Sequence, residues 1–241
     1  MLAYLAIFGV SAGVAFVATP VVRRLAIRVG GVVQPSDRRV HLVPTPTMGG
    51  LAMYAGFLAG LGLSRLLPFF GDMNAKSSEP WAALLSSTLV VALGVVDDLR
   101  GISWLSKLTG QVFTAGVLLL AGVQVTYLWL PGQIAVVGSD LAVPLTVIWV
   151  VAILNAVNLV DGLDGLAAGM MAIASGAFFV YMVRQPGIFA GNASAAGLLS
   201  AITGGSVSGS FPGTSTPPGS SWAIRGRCSW ACSCRSQRSR A

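Results

Sequence analysis

Three groups of polar side chains interrupt an otherwise apolar chain, and their types suit phosphate and hard-cation chemistry. The first is Gln34-Pro-Ser-Asp-Arg-Arg-Val-His41 followed by Pro44-Thr-Pro46-Thr-Met-Gly-Gly50. Its prolines and paired glycines give a stiff loop that allows close backbone approach. Arg38, Arg39 and His41 are candidates to hold a phosphate, although a plain juxtamembrane basic loop drawn to anionic lipid has the same composition. The second group is Asp97-Asp98-Leu-Arg100, with Lys107 and Gln111 following. Successive helical residues diverge by about 100°, so on a continuing helix the two acids cannot serve one ion in the same way. A metal or substrate contact for one and a positioning or proton contact for the other is the natural division. Lys107 and Gln111 are four residues apart and share a helix face. The third group, Asn155-Ala-Val-Asn158-Leu-Val-Asp161-Gly-Leu-Asp164-Gly165, sets two amides and two carboxylates in a glycine-interrupted stretch. Oxygen-rich donors of this kind suit hard cations or a phosphosugar. The spacing and closing Glu of a calcium-binding loop are missing.

The elements that must position these groups are membrane helices. Of 241 residues, 54% are hydrophobic and 10% charged, with a mean hydropathy of +0.78. A soluble domain carries about 25% charged residues, so soluble enzyme, disordered tail and disulfide scaffold are poor readings and an integral membrane protein is the strong one. A single histidine also excludes metal sites that need two. Apolar runs approach the roughly 20 residues that span a bilayer at 2–22, 48–70, 80–97, 110–130, 141–160 and 165–183. A weaker seventh begins near Ile188 and fades after Ile202. The predicted fold is therefore an all-α, polytopic integral membrane bundle of six to seven transmembrane helices. A short hairpin is expected between the fourth and fifth, around Pro131-Gly132.

Charge placement orients the bundle. No basic residue precedes the first apolar run, and Arg23 and Arg24 follow it, so the N-terminus is expected outside. Threading onward puts seven basic residues on the cytoplasmic side (Arg23, Arg24, Arg28, Arg38, Arg39, Arg100, Lys107) against three outside (Arg65, Lys76, Arg184). Five of the eight acids, Asp37, Asp97, Asp98, Asp161 and Asp164, fall at the cytoplasmic boundary. Acids are costly near hydrocarbon and are kept there mainly when paired or functional, so the three groups converge on one face. The formal charge of +7 misleads, because residues 204–241 carry five arginines and no acid, leaving +2 on residues 1–203. A nucleic-acid partner has little support.

Together these groups resemble the polyprenyl-phosphate N-acetylhexosamine-1-phosphate transferases of the bacterial cell envelope. The resemblance rests on Ser36 to His41 with Pro44 to Gly50, on Asp97-Asp98 with Lys107 and Gln111, and on Asn155 through Gly165. It covers roughly residues 20–200, and its first loop is closer to the branch using UDP-N-acetylglucosamine than to the phospho-N-acetylmuramoyl-pentapeptide branch. The resemblance implies that a polyprenyl phosphate attacks a UDP-sugar, releasing UMP, at the cytoplasmic face of the bacterial inner membrane. It implies magnesium (or manganese) near Asp97 and Asp98, nucleotide-sugar binding by Asn155, Asn158, Asp161 and Asp164, and phosphate contacts from Lys107, Arg38, Arg39 and His41. A homodimer is a further expectation. An ion-coupled transporter is the rival class, though carriers bind near the midplane rather than at one face.

The family runs to about ten or eleven helices of spanning length and carries an F-M-G-D-x-G-S motif whose Asp ligates magnesium. That motif is missing here, and residues 204–241 form a Ser/Pro/Arg/Cys-rich tail. Codon arithmetic suggests that the tail is out of frame. Trp222 is encoded only by TGG and Ala223 begins GC, so the junction reads GGC, glycine, without any choice. Permitted codons from Val207 to Cys234, read in that frame, give L-G-F-L-P-G-N-F-H-P-P-G-I-F-M-G-D-S-G-S-M-L-L-G-L-L-L. The division expected is thus a transferase core over 1–203 and an aberrant tail over 204–241, with the chain as written inactive.

Overall fold

The computed structural model describes residues 1–29, 32–33, 45–46, 49–130, 133–160, 166–184 and 194–214. Eight α-helices dominate: α1 Leu2–Val29, α2 Gly49–Leu66, α3 Gly71–Lys76, α4 Glu79–Arg100, α5 Trp104–Leu120, α6 Ser139–Val160, α7 Leu166–Arg184 and α8 Ala195–Thr214. Two small antiparallel pairs complete the described fold. Strands β1 (Val32–Val33) and β2 (Thr45–Pro46) bracket the first polar loop, and β3 (Tyr127–Leu130) and β4 (Gln133–Val136) form the expected hairpin. Among the described residues, four helices (α1, α4, α6, α7) are long and apolar enough to cross a membrane, or five with the bent α2–α3 pair. Their outward faces carry exposed Leu2, Leu85, Ile148, Leu159 and Ile173, as suits a lipid solvent. This is an all-α polytopic membrane protein.

Among the described residues two of the expected apolar runs take a different form, for local reasons. The run at 110–130 is a 17-residue helix that starts at Trp104 and stops at Leu120. Gly122, at φ +82, ends it, with its N–H and that of Val123 reaching back to Leu119 and Leu118 carbonyls. The chain then turns extended. The run at 48–70 breaks at Leu67-Pro68, where proline removes a ladder donor, and the chain bends by 88° into α3. Asn74 Nδ2 donates back to the Ser64 carbonyl at 3.0 Å, tying α3 across the bend.

The seventh segment, by contrast, does not end at Ile202. Helix α8 continues to Thr214, so the division drawn after residue 203 falls inside it. Its buried serines satisfy themselves within the helix, Ser206 Oγ donating to the Ile202 carbonyl (2.8 Å) and Ser210 Oγ to the Val207 carbonyl (2.9 Å). Its glycines meet α1 at backbone distance: a Cβ on Gly205 would lie 2.5 Å from the Phe8 carbonyl oxygen, and one on Gly209 would collide with the backbone of Ala12. Small residues at membrane helix interfaces permit this approach. Helices α1, α2, α7 and α8 form the packed unit, with Ile7, Leu61, Leu198 and Ile202 buried at its centre. At one end Tyr4 makes edge-on contacts with Phe69, Phe70 and Phe179 at 5.2–5.7 Å and accepts a hydrogen bond from Ser194 N. Helices α4, α5 and α6 stand beside this unit in sequence order, α2 against α4 and α6 against α7.

Candidate active site on helices α4, α5 and α6

Asp97, Asp98, Lys107, Gln111 and Asn155 lie at the end of the bundle opposite the aromatic cluster, because the helices alternate in direction. Asp97 and Asp98 are in the last turn of α4, where carboxylates oppose the helix dipole and need a compensating charge. A three-residue turn supplies it. Gly101, at φ +60, caps α4 with its N–H on the Asp97 carbonyl (2.8 Å), and Ser103 caps α5, its Oγ accepting from Ser106 N. This sharp reversal folds α5 back along α4, and Lys107 Nζ reaches Asp97 Oδ2 at 2.9 Å. Both side chains remain about a quarter exposed, so the pair is accessible to a ligand.

One turn further along the same face of α5, buried Gln111 reaches α6. Asn155 Nδ2 donates to Gln111 Oε1 at 2.8 Å, and Gln111 Nε2 donates back to Asn155 Oδ1 at a weaker 3.4 Å. The other N–H of Asn155 goes to the Val151 carbonyl at 2.8 Å. Its two donors are thereby used. Asn158, on the next turn of α6, is exposed and has no hydrogen-bond partner among the described residues.

Sequence reasoning put Lys107 and Gln111 on one face, and the structure uses that face to join three helices: Asp97 on α4, Lys107 and Gln111 on α5, Asn155 on α6. It also placed Asn155 with the ligand groups, whereas here its donors hold α5 and its own helix. Asp161, Asp164, Arg38, Arg39 and His41 lie outside the described residues. The Tyr54–Thr88 hydroxyl pair between α2 and α4 (2.6 Å) was not foreseen. Nothing in local periodicity signals it, since the two residues are 34 apart in the chain.

Among the described residues, no three of His, Cys, Asp and Glu cluster as a metal cage. That does not disqualify magnesium, which is commonly bound through one or two carboxylates together with substrate phosphates. Adjacent Asp97 and Asp98, with hard oxygen donors, fit that mode.

Comparison with known proteins gives this arrangement a lineage. Residues 80–212, which contain Asp97, Lys107, Gln111 and Asn155, match glycosyl transferase family 4. The chain is 40% identical over 183 residues to a decaprenyl-phosphate N-acetylglucosaminephosphotransferase of Mycolicibacterium smegmatis, covering 74% of this chain and 45% of that protein. It is 36% identical over 167 residues to a probable undecaprenyl-phosphate N-acetylglucosaminyl 1-phosphate transferase of Bacillus subtilis, covering 69% and 44%. A phospho-N-acetylmuramoyl-pentapeptide-transferase of Desulforudis audaxviator is 35% identical over 226 residues, covering 82% and 66%. The chain spans about half the length of the first two relatives. With an apolar helical bundle whose polar end falls inside the matched segment, the chain belongs to glycosyl transferase family 4.

Proposed function

We propose that this core transfers N-acetylglucosamine-1-phosphate from UDP-N-acetylglucosamine to a membrane polyprenyl phosphate, releasing UMP, at the cytoplasmic face of the bacterial inner membrane. The observation that carries the reading is the joining of α4, α5 and α6 by Asp97–Lys107 and Gln111–Asn155 at one end of a membrane bundle. An acceptor embedded in lipid and a donor dissolved in water can meet only at such an end.

The reaction needs little covalent help. A phosphate monoester has a second pKa near about 6, so the acceptor oxygen is already ionised at neutral pH. That oxygen attacks the β-phosphorus of the donor, and the bond from that phosphorus to the UMP oxygen breaks with its electron pair leaving on UMP. No proton has to be removed first. The protein's tasks are alignment and charge neutralisation. Lys107 has three N–H donors; Asp97 takes one and holds the ammonium in place for a phosphate. Asn158, Asp161 and Asp164 are assigned to the nucleotide-sugar, and Arg38, Arg39 and His41 to phosphate. Asp97 and Asp98 would hold magnesium, or manganese, which when bound neutralises charge on the pyrophosphate.

Binding is tested by titrating the purified 241-residue chain with UDP-N-acetylglucosamine and competing with UMP. Saturable, UMP-competed binding is expected. Turnover is read as UMP release that requires both polyprenyl phosphate and a divalent cation, with the frame after residue 204 restored as in the codon reading. Release driven instead by the muramoyl-pentapeptide donor would reassign the substrate. Sugar-nucleotide transport without UMP release would sink the transferase reading. A homodimer is part of the proposal, and sedimentation in detergent measures it.

A further inference from the structure

We infer that Gln111 is a positioning residue, which grips Asn155 and so sets the polar end of α6 at a fixed place beside the Asp97–Lys107 pair. The inference rests on the transferase reading for its consequence in binding, but the grip itself does not.

Three observations carry it. Gln111 is 3% exposed, so its amide has lost water and must find partners in the protein or leave buried groups unsatisfied. It finds them in a reciprocal pairing with Asn155, two bonds between two amides. The pairing also sits between the two halves of the site. Lys107 lies one turn before Gln111 on α5 and grips α4, while Asn158 lies one turn after Asn155 on α6 and is exposed. The cytoplasmic end of α6 has no other hydrogen bond to α5 among the described residues. Losing the grip therefore frees the end of α6, carrying Asn158, to shift against α4. Asn155 then belongs with the groups that build the site rather than with those that touch the donor.

The geometry suggests a reciprocal swap. Gln111→Asn shortens one arm by a methylene and breaks the reach; adding Asn155→Gln lengthens the other arm and restores it. Roles independent of the pairing predict that the double variant is worse than either single change. Positioning through the pair predicts the reverse.

The experiment has two readouts on the 241-residue protein. For the first, Cys228, Cys232 and Cys234 are replaced by serine, and spin labels are placed at Leu105→Cys on α5 and Leu159→Cys on α6, both exposed positions. The distance distribution between labels should broaden in Gln111→Leu and in Gln111→Asn, and narrow again in the double swap. An unchanged distribution in both single variants overturns the inference, as does a swap that restores nothing. For the second, unlabelled variants are titrated with UMP. Affinity should fall about tenfold in the single variants, the scale of one hydrogen bond lost to the nucleotide, and recover in the swap. Unchanged UMP affinity beside a broadened distribution overturns the positioning role. If the native protein binds no uridine nucleotide while the distances respond as expected, the transferase reading fails and the grip on α6 stands. Should Gln111→Leu not accumulate in membranes, Gln111→Asn and the swap decide alone.

Discussion

At the scale of single residues, exposure separates what the polar side chains do for stability from what they do for ligands. The Asp97–Lys107 pair is solvent-accessible, and exposed ion pairs contribute at most about 1 kcal/mol. Lys107→Met should therefore shift unfolding in detergent by no more than that. Its effect on UDP-N-acetylglucosamine affinity should be larger, about ten- to a hundredfold, since bonds to charged groups are worth about 1.5–3 kcal/mol. Calorimetric titration against thermal unfolding separates the two; equal small effects on both would remove Lys107 from the ligand groups. Asp97→Asn gives a further check, because the neutral amide holds the ammonium less firmly than the carboxylate and should lower donor affinity with little change in stability. The residue types and the shared face of Lys107 and Gln111 were legible in the sequence. Their partners were not, because Asp97 is reached through a capped turn and Asn155 lies 44 residues downstream of Gln111. Periodicity reports which side of a helix a residue occupies and is silent on which helix comes to meet it.

At the scale of elements, glycines decide geometry in two different ways. Gly101 is needed for its conformation: at φ +60 nothing crowds a Cβ, yet an L side chain there costs about 1–2 kcal/mol. Gly101→Ala should lower stability by that amount and weaken the Lys107–Asp97 contact, readable as a loss of nucleotide affinity with the helix content by circular dichroism retained. Gly209 is needed for its lack of bulk. Gly209→Val pushes α8 off the Ala12 backbone and should cost roughly 1–3 kcal/mol or more, the range for overpacking. Gly197 is the control, since a Cβ there would meet Tyr4 at an ordinary 3.5 Å. Gly197→Ala should be neutral or stabilising by up to about 1 kcal/mol, the helix-propensity gain. If both substitutions behave alike in thermal unfolding, the α1–α8 packing described above is wrong. The apolar runs announced most helices, and Pro131-Gly132 announced the hairpin. The continuation of α8 was hidden because Gly and Ser lower hydropathy, although these same residues are what allow α8 to press against α1. The bend after Leu66 was hidden for the opposite reason: Pro68-Phe69-Phe70 is apolar enough to pass for more of the same helix.

At the scale of the whole molecule, charge and hydropathy predict an orientation that can be checked directly. The α4–α5 turn is expected in the cytoplasm and the β3–β4 hairpin outside. With Cys228, Cys232 and Cys234 replaced by serine, a cysteine at Ser103 should react with an impermeant maleimide only in inverted vesicles. One at Gly138 should react only in intact cells. The reverse pattern would invert the bundle and place the Asp97–Lys107 pair away from cytoplasmic nucleotides. The protein should also stay with the membrane after alkaline carbonate washing, because its outward faces are apolar along their length.

The seating of α8 on α1 has a consequence in time. Tyr4 and Ser194, which meet at one end of that contact, are 190 positions apart. Ribosomes add about 5–20 residues per second, so roughly 10–40 s separate the synthesis of Tyr4 from that of Ser194, and in that time α1 has α2 to pack against but not yet α8. During that interval Ser11, whose hydroxyl is buried without a hydrogen-bond partner among the described residues, lies beside Gly56 and Gly60 of α2 with the side that will meet Gly205 still uncovered. The α1–α2 pair is made early and α8 late, so the surface that receives Gly205 and Gly209 faces lipid until α8 is synthesised.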